Sequence, residues 1–216
     1  FTEVPAALAL VYALNRLARP RELGLGRAWA VGLALAFVPW LNVRYLPFPA
    51  LLLAYAAWGR PRWRTSLALV LPLAASAVAS GLYHRALYGF FDPTLVYGRR
   101  PGFAWGRVPG NLEALLFDQE FGLLPYAPVL TLALPGLWFL TRRQGLRRAF
   151  VVAAPLATVL LTAASWRMWW GGFTPPARFL VPVAPLLALA AAHALSQRLT
   201  ARAALLAGWT LMAGFA

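Results

Sequence analysis

Long apolar runs separated by short polar connections make up most of this chain. Eight runs can be delimited, at residues 4–17, 28–40, 45–58, 67–83, 123–140, 150–165, 179–195 and 203–216. A helix needs about 20 residues to cross a bilayer, with a range of about 17–25, and most of the runs reach this length if their ends extend slightly. The pattern predicts an all-α fold, a polytopic transmembrane helix bundle with about eight apolar segments.

The second and third runs are shorter than the others and contain prolines at positions 39, 47 and 49. Proline removes a backbone N–H and interrupts a helix. Residues 28–58 are therefore either two tilted short helices or a re-entrant pair, and both arrangements return the chain to the same side. A single span over 28–58 would instead place the arginines at 60, 62 and 64 outside the cell, on the opposite side of the membrane from the other arginine-rich short loops.

Composition agrees with a membrane protein. The 216 residues are 61% hydrophobic and 12% charged, whereas a soluble domain is nearer one half apolar and one quarter charged. All 20 basic residues are arginines, the net charge is +14, and there is no cysteine to form a disulfide or a thiolate metal site. The arginines lie between the apolar runs at regular intervals. Membrane topology, and not nucleic-acid binding, therefore explains most of the positive charge. The start at Phe1 and the end within an apolar run predict a fragment of a longer protein, a single transmembrane domain over 1–216.

The arginines also predict the orientation. Thirteen of the twenty lie in short connections, at positions 16, 19, 21, 27, 60, 62, 64, 142, 143, 147, 148, 198 and 202. Short loops rich in arginine face the cytoplasm, so we predict a multi-pass protein of the inner or plasma membrane with extracytoplasmic loops at 84–122 and 166–178. Five of the six acids then lie outside. Either they solvate the long loop by chance, or the outer face carries the chemistry.

The loop 84–122 is the only long connection between apolar runs. Its Asp-Pro, Pro-Gly and Gly-Arg-Arg-Pro-Gly sequences are typical of turns. Asn111 is placed to cap a short helix in which Leu112, Leu115 and Leu116 share one face and Glu113 occupies the first turn. We expect this helix to lie on the membrane surface.

Candidate functional residues lie in three stretches of the predicted outer face. Asp118 and Glu120 could contact a sugar hydroxyl or a divalent cation, or act in acid–base chemistry, or they could be a solvated helix end. Residues 166–180 combine paired glycines and prolines with Arg167, Trp169, Trp170 and Arg178, which predicts a tight loop. That loop is either a phosphate- and sugar-binding wall or an interfacial aromatic belt.

The third stretch is 40–45, in which Arg44 lies between two apolar runs. An arginine at this depth is costly unless it is paired, so Arg44 is either functional or extends to lipid headgroups. Two histidines complete the inventory. His84 opens the long loop and is either a substrate contact or an interfacial polar residue, whereas His193 lies within an apolar run and is expected to be structural.

Arginine, aromatic rings and carboxylates on one side of an apolar bundle suit a substrate with an apolar tail, a phosphate and a polar head. A lipid-linked sugar has all three. Arginine would neutralise the phosphate, aromatic rings would stack on the sugar, and a carboxylate would orient or deprotonate the acceptor hydroxyl.

Four stretches also resemble a known family. They are Phe117-Asp-Gln-Glu-Phe-Gly-Leu-Leu-Pro-Tyr-Ala-Pro, Trp169-Trp-Gly-Gly-Phe-Thr-Pro-Pro-Ala-Arg-Phe-Leu, Pro39-Trp-Leu-Asn-Val-Arg-Tyr and Phe1-Thr-Glu-Val-Pro-Ala-Ala. They are similar to bacterial multi-spanning glycosyltransferases of the GT-C fold, such as the protein mannosyltransferases and lipid A aminoarabinose transferases, which use polyprenyl-phosphate sugars.

The resemblance implies inverting transfer at the outer face without a covalent enzyme intermediate. It implies substrate-assisting roles for Arg178 at the carrier phosphate and for Asp118 and Glu120 at substrate or cation. The family's principal catalytic Asp lies in a first outer loop that has no counterpart here, so we expect it upstream and expect this stretch alone to be inactive. The acceptor is not identified. The alternative is a non-enzymatic transporter of lipid-linked sugars, or a membrane scaffold.

Overall fold

The computed structural model describes residues 2–18, 23–59, 61–97, 104–172, 174–196 and 209. Within these ranges the chain is helical and contains no β-strand, which confirms the all-α prediction. The chain divides into two compact units, unit 1 (Phe1–Phe103) and unit 2 (Ala104–Ala216), which are taken in turn. Apart from Trp209, the run 203–216 lies outside the described residues, as do the arginines at 19, 21, 60, 99, 100, 198 and 202.

The described residues of unit 1 form four α-helices: α1 (Glu3–Leu17), α2 (Leu25–Leu41), α3 (Pro47–Trp58) and α4 (Trp63–Tyr88). A 3-10 turn at Val43–Tyr45 joins α2 to α3, and another follows α4 at Pro93–Tyr97. Proline at the start of α3 suits a first helical turn, where its missing N–H is not needed. Gly89 ends α4 in a left-handed conformation (φ +80°), which glycine adopts without steric cost.

Helices α2 and α4 lie in close contact and run in the same direction. A Cβ atom at Gly32 of α2 would come within 2.9 Å of the Leu69 carbonyl oxygen of α4. Further along both helices, the Ser76 hydroxyl donates to the Ala36 carbonyl at 2.8 Å and accepts from the Trp40 indole at 2.8 Å. Because later residues of α2 meet later residues of α4, the chain must return between them. Residues 28–58 therefore form two helices and not one span.

The described residues of unit 2 form these longer helices: α5 (Val108–Phe117), α6 (Leu123–Tyr126), α7 (Ala133–Gln144), α8 (Leu146–Ser165) and α9 (Ala184–Leu195). The unit also has 3-10 segments at Trp105–Arg107, Pro128–Leu132 and Arg178–Val183. Helices α7 and α9 cross where Gly136 abuts the backbone of Ala190, which is 1% exposed. Helix α5 packs against α8.

The run 123–140 is not the single helix that its hydropathy predicts. It is divided into α6, a 3-10 segment and α7, with Ala127 in a non-helical conformation (φ −140°, ψ 63°) between the first two. Pro128 explains the break, because proline disfavours helical geometry in the preceding residue and lacks the N–H that would continue the helix.

In the part of the chain that the structure describes, three helical stretches are long and apolar enough to cross a membrane: Trp63–Val96, Leu146–Ser165 and Arg178–Leu195. The chain is therefore a membrane protein. Helices α1, α3 and α7 have 15, 12 and 12 residues, below the range of about 17–25 for a span, and α2 has 17. The expectation of about eight apolar segments is not confirmed. The orientation and the single-domain organisation stay predictions.

Candidate functional site

The eight candidate residues fall in both units. Arg44 and His84 belong to unit 1, and the remaining six belong to unit 2: Asp118, Glu120, Arg167, Trp169, Trp170 and Arg178. The two groups are described separately.

In unit 2, Asn111 joins the short helix α5 to the end of α8. Its side-chain amide donates to the carbonyl oxygens of Ala164 (2.8 Å) and Trp166 (3.2 Å). The last carbonyls of a helix have no partner within the helix, so this amide satisfies groups that the end of α8 leaves open. Leu112 and Leu115 pack against Ala163 and Ala164 of α8, so the face that they share is in contact with another helix.

The predicted cap of α5 is wrong. The helix begins at Val108, with Pro109 in its first turn and Arg107 as the N-cap residue. Asn111 is therefore inside the helix, and Glu113 is not in the first turn. Proline is favoured at the first helical positions, so the helix starts about one turn before the predicted cap. The Asn111 side chain is then available for the hydrogen bonds to the end of α8.

Asp118 ends α5 and organises the turn that follows. Its Oδ1 atom accepts hydrogen bonds from the backbone N–H groups of Glu120 (2.9 Å) and Phe121 (2.7 Å). Gly122 lies so close to the Asp118 backbone that a Cβ atom would overlap it. The Glu120 side chain is exposed. One oxygen of Asp118 therefore holds the turn, and Oδ2 takes no part in those two bonds.

The segment between α8 and α9 is a tight loop, as predicted. Gly171 and Gly172 have φ values of +89° and +79°, in the left-handed region that favours glycine. A Cβ atom at Gly171 would also lie 2.9 Å from the Thr174 hydroxyl. The rings of Trp169 and Trp170 meet edge to face, with centroids 5.9 Å apart.

The members of this loop have different surroundings. Trp169 packs against the cluster of Leu115, Ala163 and Ala164, so its ring helps to hold the loop on α5 and α8. Trp170 and Arg178 are partly buried, and Arg167 is exposed.

One backbone hydrogen bond joins the loop to the Asp118 turn. The N–H of Ala177, which has a left-handed φ of +53°, donates to the carbonyl oxygen of Phe121 at 2.9 Å. Arg178 follows Ala177 directly, and Asp118 lies three residues before Phe121. The structure therefore brings together two stretches whose bonded residues, Phe121 and Ala177, are 56 positions apart in sequence. Sequence reasoning missed Ala177 and Phe121, because a bond between main-chain atoms leaves no signature in side-chain type.

In unit 1, His84 lies within α4 and does not open a loop. The helix continues to Tyr88, so the predicted loop start at residue 84 is wrong. The His84 Nδ1 atom lies 2.7 Å from the Ser80 carbonyl oxygen. A carbonyl can only accept, so Nδ1 carries the proton and Nε2 is the acceptor of the neutral ring. The His84 ring contacts residues one helical turn away on either side: the Ser80 carbonyl in the preceding turn and the Tyr88 ring in the following turn.

His84 also borders a cleft of about 360 Å³ between the ends of α2 and α4. The aromatic side chains at its wall are Trp40, Tyr83 and Tyr88, and the polar ones include Asn42. Asp92, in the turn after α4, accepts hydrogen bonds from the backbone and hydroxyl of Thr94 at 2.8 and 2.7 Å.

Arg44 lies in the 3-10 turn between α2 and α3, directly after two residues of the cleft wall. Its backbone N–H donates to the Asn42 side-chain oxygen at 3.0 Å. This bond shapes the turn, and Asn42 also lines the cleft. Arg44 itself is partly buried.

In the described part of the chain, no group of three or more His, Cys, Asp or Glu side chains is arranged to hold a metal ion. Comparisons with protein-family models, curated proteins and solved structures found no match. The resemblance to GT-C glycosyltransferases thus stays an expectation from the four quoted stretches.

Proposed function

We propose that this chain is part of an integral-membrane glycosyltransferase that moves a sugar from a polyprenyl-phosphate carrier to an acceptor at the outer face of the membrane. The observation that supports the proposal is the hydrogen bond from Ala177 to Phe121. This bond joins the turn that carries Asp118 and Glu120 to the loop that carries tryptophan and arginine. Carboxylates, aromatic rings and arginine are the groups that a binding site for a lipid-linked sugar requires.

Arg178 is proposed to bind the carrier phosphate. A guanidinium presents a planar set of donors that matches phosphate oxygens. The residue begins the helical stretch Arg178–Leu195, which is apolar enough to cross a membrane. A carrier could therefore place its phosphate at Arg178 and its polyprenyl chain along apolar surface.

The Trp169 ring packs into the apolar cluster of unit 2 and is engaged there. The neighbouring Trp170 is therefore proposed as the ring that stacks on the sugar. The Asp118 Oδ2 atom and the Glu120 carboxylate would contact the acceptor hydroxyl or orient the sugar. Arg167, exposed in the same loop, would add positive charge for the phosphate. In unit 1, the cleft beside His84 and the nearby Arg44 are proposed as a separate binding site for a polar group.

The test uses the protein made from its complete gene, reconstituted in vesicles with a polyprenyl-phosphate-linked sugar and a mixture of candidate acceptors. We expect one polyprenyl phosphate to be released for each sugar transferred. The carrier and the sugar are measured separately, by lipid chromatography and by a label on the sugar. If the intact donor instead crosses the bilayer without being consumed, the protein is a transporter, and the glycosyltransferase proposal is wrong.

A further inference from the structure

Unit 1 has a second hollow, at the end of α4 opposite to the His84 cleft. It has a volume of about 310 Å³ and is bounded by the second half of α3 and the first two turns of α4. Its lining is almost entirely apolar and consists of Leu53, Ala54, Ala56, Ala57, Pro61, Ser66, Leu69 and Val70. Three of these residues are alanines of α3. Their short side chains leave the groove between the helices unfilled.

The start of α4, directly after Pro61 of the groove wall, carries arginine and tryptophan. Arg62 and Arg64 are exposed and flank Trp63, which is 67% exposed. The Arg64 guanidinium carbon lies 5.4 Å from the centre of the Trp63 ring. Tryptophan and arginine at the end of an apolar helix are typical of the headgroup level of a membrane. The groove therefore begins at headgroup depth and extends along apolar surface.

No described acid of unit 1 neutralises this pair of arginines. The two described acids of unit 1 are Glu3, which is buried, and Asp92, which follows the far end of α4, whereas Glu22 lies outside the described residues. Helix α4 has 26 residues and is about 39 Å long at 1.5 Å per residue, so Asp92 is distant. The start of α4 is consequently a positive site next to an apolar groove.

We infer that this groove binds an anionic phospholipid, with an acyl chain along the alanines of α3 and the phosphate at Arg62 and Arg64. The apolar wall matches the chain, and the guanidinium groups match the phosphate oxygens. The exposed positive charge favours a lipid of net negative charge over a zwitterionic one. This binding site is independent of the proposed glycosyltransferase activity.

The test measures which lipids remain on the purified protein, by native mass spectrometry in detergent with equal amounts of phosphatidylglycerol and phosphatidylcholine. We expect the wild type to retain phosphatidylglycerol preferentially. The double variant Arg62→Gln, Arg64→Gln should lose about tenfold or more of that preference, since each surface arginine adds a severalfold attraction. The matched control is Arg85→Gln. Its guanidinium also lies over an aromatic ring, that of Phe91 at 4.7 Å, near the other end of α4.

A second variant tests the groove itself. Ala57→Leu places a larger side chain in the wall and should reduce retention of phosphatidylglycerol, whereas Ala77→Leu, at an exposed position of α4 away from the groove, should leave it unchanged. Melting temperatures check that all variants are folded. The inference is overturned if the double arginine variant keeps its lipid preference, if Arg85→Gln reduces it equally, or if Ala57→Leu binds the lipid like the wild type.

Discussion

Gly136→Ala is expected to lower the melting temperature of the protein by roughly 5–10 °C. A Cβ atom at this position would overlap the backbone of Ala190, where α7 crosses α9. A backbone cannot turn away as the end of a side chain can, so the two helices must separate. Overpacking of a well-packed core costs typically about 1–3 kcal/mol, and the surrounding Leu132, Ala191 and Ala194 are at most 5% exposed.

The control for this experiment is Gly110→Ala in the same unit. Position 110 lies in α5, and a Cβ atom there would meet nothing within 4 Å. Alanine is favoured over glycine in a helix, so this variant should melt at or above the wild-type temperature. Thermal unfolding is followed by size-exclusion chromatography of samples heated in detergent. Equal melting temperatures for Gly136→Ala and the wild type would refute the close crossing of α7 and α9.

Arg178→Gln is expected to raise the KM for a polyprenyl-phosphate sugar by about 10- to 100-fold. Hydrogen bonds to charged groups contribute about 1.5–3 kcal/mol, and glutamine keeps a polar group while removing the charge. If Arg178 binds the phosphate equally tightly in the ground state and in the transition state, kcat changes little. Arg178→Lys should recover part of the affinity, because it restores the charge without the planar donor set.

The matched control is Arg142→Gln. Arg142 is also in unit 2, and its guanidinium lies 4.5 Å from the centre of the Trp138 ring, but it precedes α8 whereas Arg178 follows it. The 20 residues of α8 correspond to about 30 Å. Steady-state kinetics should show no change in KM for this variant. An Arg178→Gln protein with wild-type kinetics, or an Arg142→Gln protein with the same defect, would remove Arg178 from the phosphate site.

The helices and the tight loop could be predicted from the sequence because their signals are local. Hydropathy located the helices of both units, and the pairs Gly171-Gly172 and Pro175-Pro176 predicted the loop. The shared face of Leu112 and Leu115 was likewise visible in their spacing. In each case the residues that determine the structure are neighbours in the chain.

The errors occur where the structure depends on groups that are distant or on a single proline. The amide of Asn111 bonds to carbonyls more than 50 residues away, and no local pattern distinguishes this use from a helix cap. Hydropathy continues past Ala127, although Pro128 breaks the helix there. The bond between Ala177 and Phe121 joins main-chain atoms, so it could not be read from side chains at all.

The measurement that tests the central claim most directly is photolabelling of the protein from its complete gene with a photoreactive polyprenyl phosphate. The account predicts crosslinks in the peptides that contain residues 117–128 and 166–180. Excess unlabelled polyprenyl phosphate should compete for them, and Arg178→Gln should weaken them while Arg142→Gln does not. Labelling spread over the exposed apolar helices, without competition and unchanged in Arg178→Gln, would contradict the claim that the joined turn and loop of unit 2 bind the carrier phosphate.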